Sequence, residues 1–248
     1  HIEAGLRSGD RTMPEEINRL LTDSIADHLF VTEPSGVTNL RREGIEDKKI
    51  HLVGNVMIDS LVHYREKAKQ STIMEHLGVK PHKFTLVTLH RPSNVDTVEG
   101  LGKILTIFER IASSSEIVFP VHPRTKKMLD QHGLGTRADA IPGLKLLDPI
   151  GYLDFLHLLD NAQLVLTDSG GIQEETTYLG VPCLTLRENT ERPITCEVGT
   201  NELCGLDVEK LVSRSEAVFA GNKKKGLVPD LWDGNAANRI VDVLIGQI

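Results

Sequence analysis

Cysteine is scarce: Cys183, Cys196 and Cys204 are the three in 248 residues. An odd number with no metal-ligand spacing argues against a disulfide framework and points to the reduced thiols of the cytoplasm. Long apolar runs are missing too. No stretch approaches the length of a membrane span, and none has the pattern of a signal peptide. Positive charge is not in excess: the formal net charge of −7 argues against a general binder of nucleic acid or of anionic membranes. A phosphate-bearing small molecule needs only local donors and stays compatible with that charge. No internal repeat or low-complexity segment stands out. What is there, 40% apolar and 25% charged residues, is the balance of an ordinary soluble globular protein. The length suits one large domain or two small ones.

Strand and helix patterns alternate along the chain. Apolar runs at 84–89, 117–121, 144–147, 164–167 and 181–186 read as buried strands, and helical spacing occupies 98–112, 126–132, 152–159 and 172–179. This alternation predicts an α/β fold with an open, mostly parallel sheet covered by helices on both faces, and the five strands make one complete doubly wound domain. Before about residue 67 lie helices at 15–27 and 35–42, short strands at 29–31 and 50–53, and the start of a helix at 57–69. These are too few to close a core, so 1–66 reads as the back part of another domain. The predicted division is 1–66, a nucleotide-binding unit at 67–232, and a terminal segment at 233–248 whose helix packs back on the first part.

Ligands of doubly wound sheets bind beyond the carboxyl ends of the strands, and four polar clusters fall there. His90-Arg91-Pro92-Ser93-Asn94, His122-Pro123-Arg124, the Ser169-Gly170-Gly171 turn, and Arg187 with Thr190-Glu191-Arg192-Pro193 each follow a strand. A single histidine or Ser-Gly-Gly turn is usually incidental. Four clusters on one rim are better explained by a shared anion site, since arginine forks suit phosphate and histidine supplies a proton or a positive charge. In Asp168-Ser169-Gly170-Gly171-Ile172-Gln173-Glu174-Glu175, small residues at a strand-to-helix turn let backbone N–H groups reach an anion. A glutamate one turn on can accept from ribose hydroxyls. At the front, Glu3 stands at an expected strand end, and Met13-Pro14-Glu15-Glu16 opens a helix. Acidic residues after proline also merely complement a helix dipole. Composition leaves that choice open.

Seven ordered motifs carry a resemblance. His1-Ile2-Glu3-Ala4-Gly5-Leu6-Arg7, Met13-Pro14-Glu15-Glu16-Ile17-Asn18-Arg19, Val53-Gly54-Asn55, Thr88-Leu89-His90-Arg91, Pro120-Val121-His122-Pro123, the stretch from Thr167 to Glu175, and Thr190-Glu191-Arg192-Pro193 together resemble the non-hydrolysing UDP-N-acetylglucosamine 2-epimerases. The resemblance spans essentially the whole chain. It implies a glycosyltransferase-B-like fold of two Rossmann-like doubly wound domains, the first incomplete here, with the active site in the cleft between them. The family's glycine-arginine-proline loop and Gly-Asp-Thr turn would both precede His1, which implies that residues 1–248 alone do not epimerise.

The implied reaction interconverts UDP-N-acetylglucosamine and UDP-N-acetylmannosamine by proton abstraction at C2, anti elimination of UDP to 2-acetamidoglucal, and re-addition, with no cofactor and no metal. By this resemblance Glu3 and Glu15 do acid/base work, and His90 assists the leaving diphosphate. Ser169, Gly170 and Gly171 form the phosphate cradle, Glu175 holds the ribose, Phe155 falls in the segment that reads the uracil, and Arg192 contacts sugar or phosphate. Arg7, Arg91, Ser93, Asn94, His122 and Arg187 complete the expected binding set, with Arg91 and His122 also able to meet a second, activating UDP-sugar. The expected partner is a UDP-sugar rather than nucleic acid or membrane, and the expected state is a cytoplasmic homodimer. Rival readings are a hydrolysing epimerase, a UDP-sugar glycosyltransferase of the same fold, and a UDP-binding module without catalysis.

Overall fold

The computed structural model of the chain describes residues 1–246, so the last two residues of the expected 233–248 segment lie outside the described residues. Two parallel sheets organise it. The first is small: β1 (Ile2–Ala4), β2 (Leu29–Val31) and β3 (Ile50–Leu52) lie side by side in that order, connected through α1 (Pro14–Ile25) and α2 (Pro34–Arg42). Proline opens both helices, where its missing N–H would be unpaired anyway and its fixed φ suits the first turn. The β1–β2 register slips between Ile2 and Ala4, and Glu3 there takes a φ of 63°. Glu3 was expected at a strand end. It sits instead within β1, in left-handed backbone that non-glycine residues rarely adopt, an irregularity of the kind that re-aims a side chain.

α3 (Val56–Ala68) and α4 (Ile73–Leu77) lead to the second sheet. Its elements are β4 (Phe84–Thr88), α5 (Pro92–Val95), α6 (Val98–Ile111), β5 (Glu116–Pro120), α7 (Pro123–Gln131), α8 (Gly135–Asp139), β6 (Leu144–Leu147) and α9 (Tyr152–Asn161). Then come β7 (Leu164–Thr167), α10 (Gly170–Leu179), β8 (Cys183–Thr185), α11 (Pro193–Glu197), β9 (Asn201–Leu203) and α12 (Val208–Phe219). The strands stand in the order β6-β5-β4-β7-β8-β9, all parallel. Alternate residues of each strand serve opposite faces. Val87, Ile117, Phe119 and Leu166 pack with Leu105 and Phe108 of α6 and Leu211 of α12. Phe84, Leu86, Val118 and Val165 pack with Leu158 and Leu159 of α9. Burial on both faces is why these strands read as continuous apolar runs.

The expected five strands are therefore six. β9 has three residues, Asn-Glu-Leu, with no apolar periodicity of its own; its pairing with β8 defines it. α12 also goes beyond the alternation read from the sequence, although its signals are local: Asp207 accepts from Lys210 N, and Leu211, Val212 and Val218 line its buried side.

The order reverses between β4 and β7. Loops leaving the carboxyl ends of these two strands go to opposite faces and open a crevice, the ligand position in such sheets. The last helix, α13 (Ala236–Leu244), returns to the small sheet. Trp232 Nε1 donates to Thr32 O at 3.0 Å, and Asp59 of α3 accepts from the first amides of α13, Ala236 N (3.1 Å) and Ala237 N (2.6 Å). Gly54 crosses against the same returning segment with φ 89°; a Cβ there would lie 2.1 Å from the Leu231 carbonyl oxygen, so only glycine fits. No helix among the described residues is long and apolar enough to cross a membrane.

Candidate active site

At the reversal point β4 and β7 end in register, Thr88 beside Thr167, with their hydroxyls 2.7 Å apart. The next residues of both strands meet on one buried carboxylate. Asp168 accepts from His90 N (3.2 and 3.1 Å), Arg91 N (2.9 Å) and Asn94 Nδ2 (3.1 Å). Asn94 gives its other amide hydrogen to Leu186 O at 3.0 Å. Expected as a ligand contact, Asn94 has both donors engaged inside the protein and braces the loop instead. Ser93, beside it, is exposed at the cleft.

Ser169 precedes α10 in extended backbone, and no side chain caps the helix. The amide hydrogens of the first turn, which have no carbonyl partner within the helix, are thus open at its positive end. Gly170 is required by its neighbours as well as by any ligand: a Cβ there would lie 2.4 Å from Arg192 Nη1 and 2.7 Å from Glu191 Oε1. Gly171 meets nothing closer than 4.0 Å, so its smallness leaves space rather than avoiding a clash.

Arg192 is buried among carboxylates from both sheets. Its Nε is 2.8 Å from Glu174 Oε1, its Nη1 bonds Glu191, and its Nη2 is 3.5 Å from Glu3 across the cleft. The Glu174 contact is a charge contact without hydrogen-bond alignment, since neither Glu174 oxygen has a hydrogen-bond partner among the described residues. Burial pushes the Glu174 carboxyl upward against the pull of Arg192, and Glu3 and Glu33 push the same way. Glu191 goes the other way: burial opposes ionisation, but Arg192 and Arg187 together hold its carboxyl at about 2. Arg187 reaches Glu191 Oε2 at 2.8 Å, while its Nη1, buried in the cleft wall, has no hydrogen-bond partner among the described residues. The chain Arg187–Glu191–Arg192–Glu3 therefore joins the large sheet to the small one.

On the facing side, a cavity of about 600 Å³ is lined by Asp10, Met13, Pro14 and Glu15 from the small lobe and by Arg91, Ser93 and Arg187 from the large one. The two carboxylates of Glu15-Glu16 differ completely in use. Glu16 is buried and accepts from Ser8 N, Gly9 N and Arg19 Nη2 at 2.9 to 3.0 Å; although burial opposes it, these bonds hold its carboxyl below the usual range. It shapes the loop that brings Asp10 to the cavity. Glu15 is 54% exposed and 3.5 Å from Arg91 Nη1. Arg7 does not serve as an open ligand contact: Nε and Nη2 grip Glu43, Nη2 also reaches Asp23 at 2.6 Å, and Nη1 donates to Leu6 O. It locks the small sheet to its helices.

His122 caps α7, accepting from Arg124 N at Nδ1 (3.2 Å), so its remaining ring nitrogen carries the hydrogen; its ring lies 5.7 Å from that of His90. One turn into α10, Glu175 is buried and accepts from Tyr152 at 3.2 Å. Tyr152 was not anticipated. Phe155, three residues further along α9, is half-buried against the core under the sheet.

Burial pushes the Glu175 carboxyl from 4.5 to about 7, against the Tyr152 hydrogen bond. The unfolded chain ionises this group near 4.5, while the fold keeps it protonated to about 7. Its contribution to stability is then full below pH 4.5, declines between 4.5 and 7, and is constant above. Glu175→Gln should therefore reduce the drop in urea midpoint between pH 5 and pH 7.5; an unchanged drop would contradict the assignment.

No cluster of three or more His, Cys, Asp or Glu residues suited to a metal ion occurs among the described residues. The arrangement leaves an anion-binding helix terminus at α10, with Glu3 reaching Arg192 and Glu15 reaching Arg91, the residue next to His90, from the small lobe.

Comparison with known proteins places this geometry. The sequence profile described as UDP-N-acetylglucosamine 2-epimerase matches residues 1–245. A relative of that name from Methanococcus maripaludis is 43% identical and is covered over 68% of its length by 100% of this chain. A Pseudomonas aeruginosa protein named UDP-2,3-diacetamido-2,3-dideoxy-D-glucuronate 2-epimerase is 40% identical, over 98% of this chain and 67% of its own length. The crystal structure of Methanocaldococcus jannaschii UDP-GlcNAc 2-epimerase in complex with UDP-GlcNAc and UDP superposes with a TM-score of 0.89 at 45% identity, over 99% of this chain and 68% of that one. The fold is α/β and glycosyltransferase-B-like, as expected. With the profile match running from the first β-strand through the last helix, the chain belongs to the UDP-N-acetylglucosamine 2-epimerase family.

Proposed function

We propose that the protein interconverts UDP-N-acetylglucosamine and UDP-N-acetylmannosamine by elimination and re-addition of UDP. One observation carries this most directly: an uncapped helix terminus beside Arg192 lies opposite Glu3, which approaches Arg192 to 3.5 Å from the other sheet. In this reading residues 67–232 form the nucleotide lobe, while residues 1–66 with the terminal helix form the lobe that supplies Glu3 and Glu15. The Ser169 amide donates to Thr167 Oγ1 at 3.0 Å, so the diphosphate sits on the amides of Gly170 and Gly171 beside the Ser169 side chain, with the ribose on Glu175 and the uracil near Phe155. Removal of the C2 proton by one carboxylate turns the C–H electron pair into the C1–C2 double bond, and the C1–O pair leaves with UDP. His90 and Arg192 stabilise the charge arriving on the diphosphate. Protonation of the opposite face at C2 by the second carboxylate, with UDP returning to C1, gives the epimer. The acidic sugar side, with Asp10, Glu3 and Glu15, favours a neutral acetamido sugar over a uronate. We also place the protein in the cytoplasm as a homodimer, with Arg91 and His122 near a second UDP-sugar.

The test is turnover without an acceptor. The full-length protein, given UDP-N-acetylglucosamine alone, should yield the manno epimer with UDP still attached, read by proton NMR. Release of free N-acetylmannosamine or dependence on an acceptor sugar would contradict the proposal.

A further inference from the structure

His90 is 41% exposed, and Nδ1 of its ring lies 3.0 Å from Oδ1 of Asp168, whose side chain is fully buried. That carboxylate already accepts from the backbone amides of His90 and Arg91 and from Asn94 Nδ2. The Nδ1 contact lacks hydrogen-bond alignment and is a charge contact; a bare lone pair on Nδ1 would face the carboxylate oxygen at 3.0 Å, so the carboxylate favours the hydrogen on Nδ1. Nε2 is then the nitrogen left for the cleft: an acceptor when the ring is neutral, and the donor of the mobile proton when it is charged. His122 has the opposite arrangement, because its Nδ1 accepts from Arg124 N. Two neighbouring imidazoles thus favour opposite tautomers, His90 through a charge contact and His122 through a hydrogen bond.

We infer that Asp168 is a positioning residue of the reaction: its buried negative charge beside Nδ1 favours the hydrogen on that nitrogen of His90, so that Nε2 gives a proton to the departing diphosphate oxygen and takes it back on re-addition. This rests on the role given to His90 above. The carboxylate stays at the floor of the site and touches neither sugar nor phosphate. Its link to both strand ends explains why a buried acid stands next to an anion cradle: it organises the β4 loop, and it biases the tautomer of one ring.

The experiment uses the full-length protein with ¹⁵N-labelled histidine. In the wild type the neutral His90 ring should show hydrogen on Nδ1 and a bare Nε2; in Asp168→Asn the hydrogen should move to Nε2 in a large fraction of molecules. Asp168→Asn should lower kcat by about tenfold to a hundredfold while the UDP dissociation constant changes less than about threefold, since only the proton transfer is impaired. His90→Asn should be as slow, and the double variant no slower than His90→Asn alone. A wild-type ring with hydrogen on Nε2 overturns the inference even if the Asp168 variant fails to fold, as does a folded Asp168→Asn with unchanged tautomer and kcat. Full activity of His90→Asn would instead remove the role of His90, a result separable from the tautomer measurement.

Discussion

Replacing Glu3 with glutamine will lower kcat by roughly a hundredfold or more, with UDP affinity kept within about threefold. The amide preserves size and polarity but cannot exchange a proton, so the proposed reaction, which needs one carboxylate to take the C2 hydrogen and another to return one, loses half of its acid/base pair. Affinity should survive because Arg192, which touches Glu3 at 3.5 Å, keeps its closer partners Glu174 and Glu191. The strained backbone at Glu3 is also untouched by the substitution. NMR turnover assays and calorimetry with UDP separate the two quantities. A kcat within a few-fold of wild type would remove Glu3 from the chemistry.

Arg192→Ala should have the largest effect on the molecule as a whole. Arg192 is 9% exposed and its guanidinium lies among Glu174, Glu191 and Glu3, so its removal leaves a fully buried Glu174 beside further negative charge. Breaking a buried ion pair from one side costs about 3–5 kcal/mol, mostly through the stranded charge. Urea unfolding should register a loss of that order. UDP affinity should fall about tenfold to a hundredfold, the worth of a charged contact. Adding Glu174→Gln to Arg192→Ala removes the stranded carboxylate, so the double variant should regain part of the stability and none of the affinity. Equal stability of wild type and Arg192→Ala would mean that the carboxylate cluster does not depend on this arginine.

Features of the fold that arise locally could be read from the sequence. Runs such as Phe84 to Thr88 and Leu164 to Thr167 carry apolar residues without strict alternation because both faces of a parallel sheet are covered, and the glycines at 170 and 171 stand where a strand turns into a helix. The clusters after β4 and β7 were legible for the same reason: strand ends of such a sheet share a rim. Pairings set by distant residues were not. Arg7 resembles an anion ligand until the fold brings up Asp23 and Glu43, the latter 36 positions away. Asn94 sits beside an arginine and a histidine in sequence, yet its partners Asp168 and Leu186 lie 74 and 92 positions on. The short strand β9 exists through its neighbour rather than its own residues. Glu15 and Glu16 look alike on paper, and only the loop folded over Glu16 tells them apart.

The most direct measurement is turnover of UDP-N-acetylglucosamine in deuterated water by the full-length protein. Glu3 and Glu15 are 30% and 54% exposed, so a proton taken from C2 should exchange with solvent before a proton returns to the sugar. Every molecule of UDP-N-acetylmannosamine formed should carry deuterium at C2. Epimer that keeps its original C2 hydrogen through turnover would contradict abstraction by these open carboxylates.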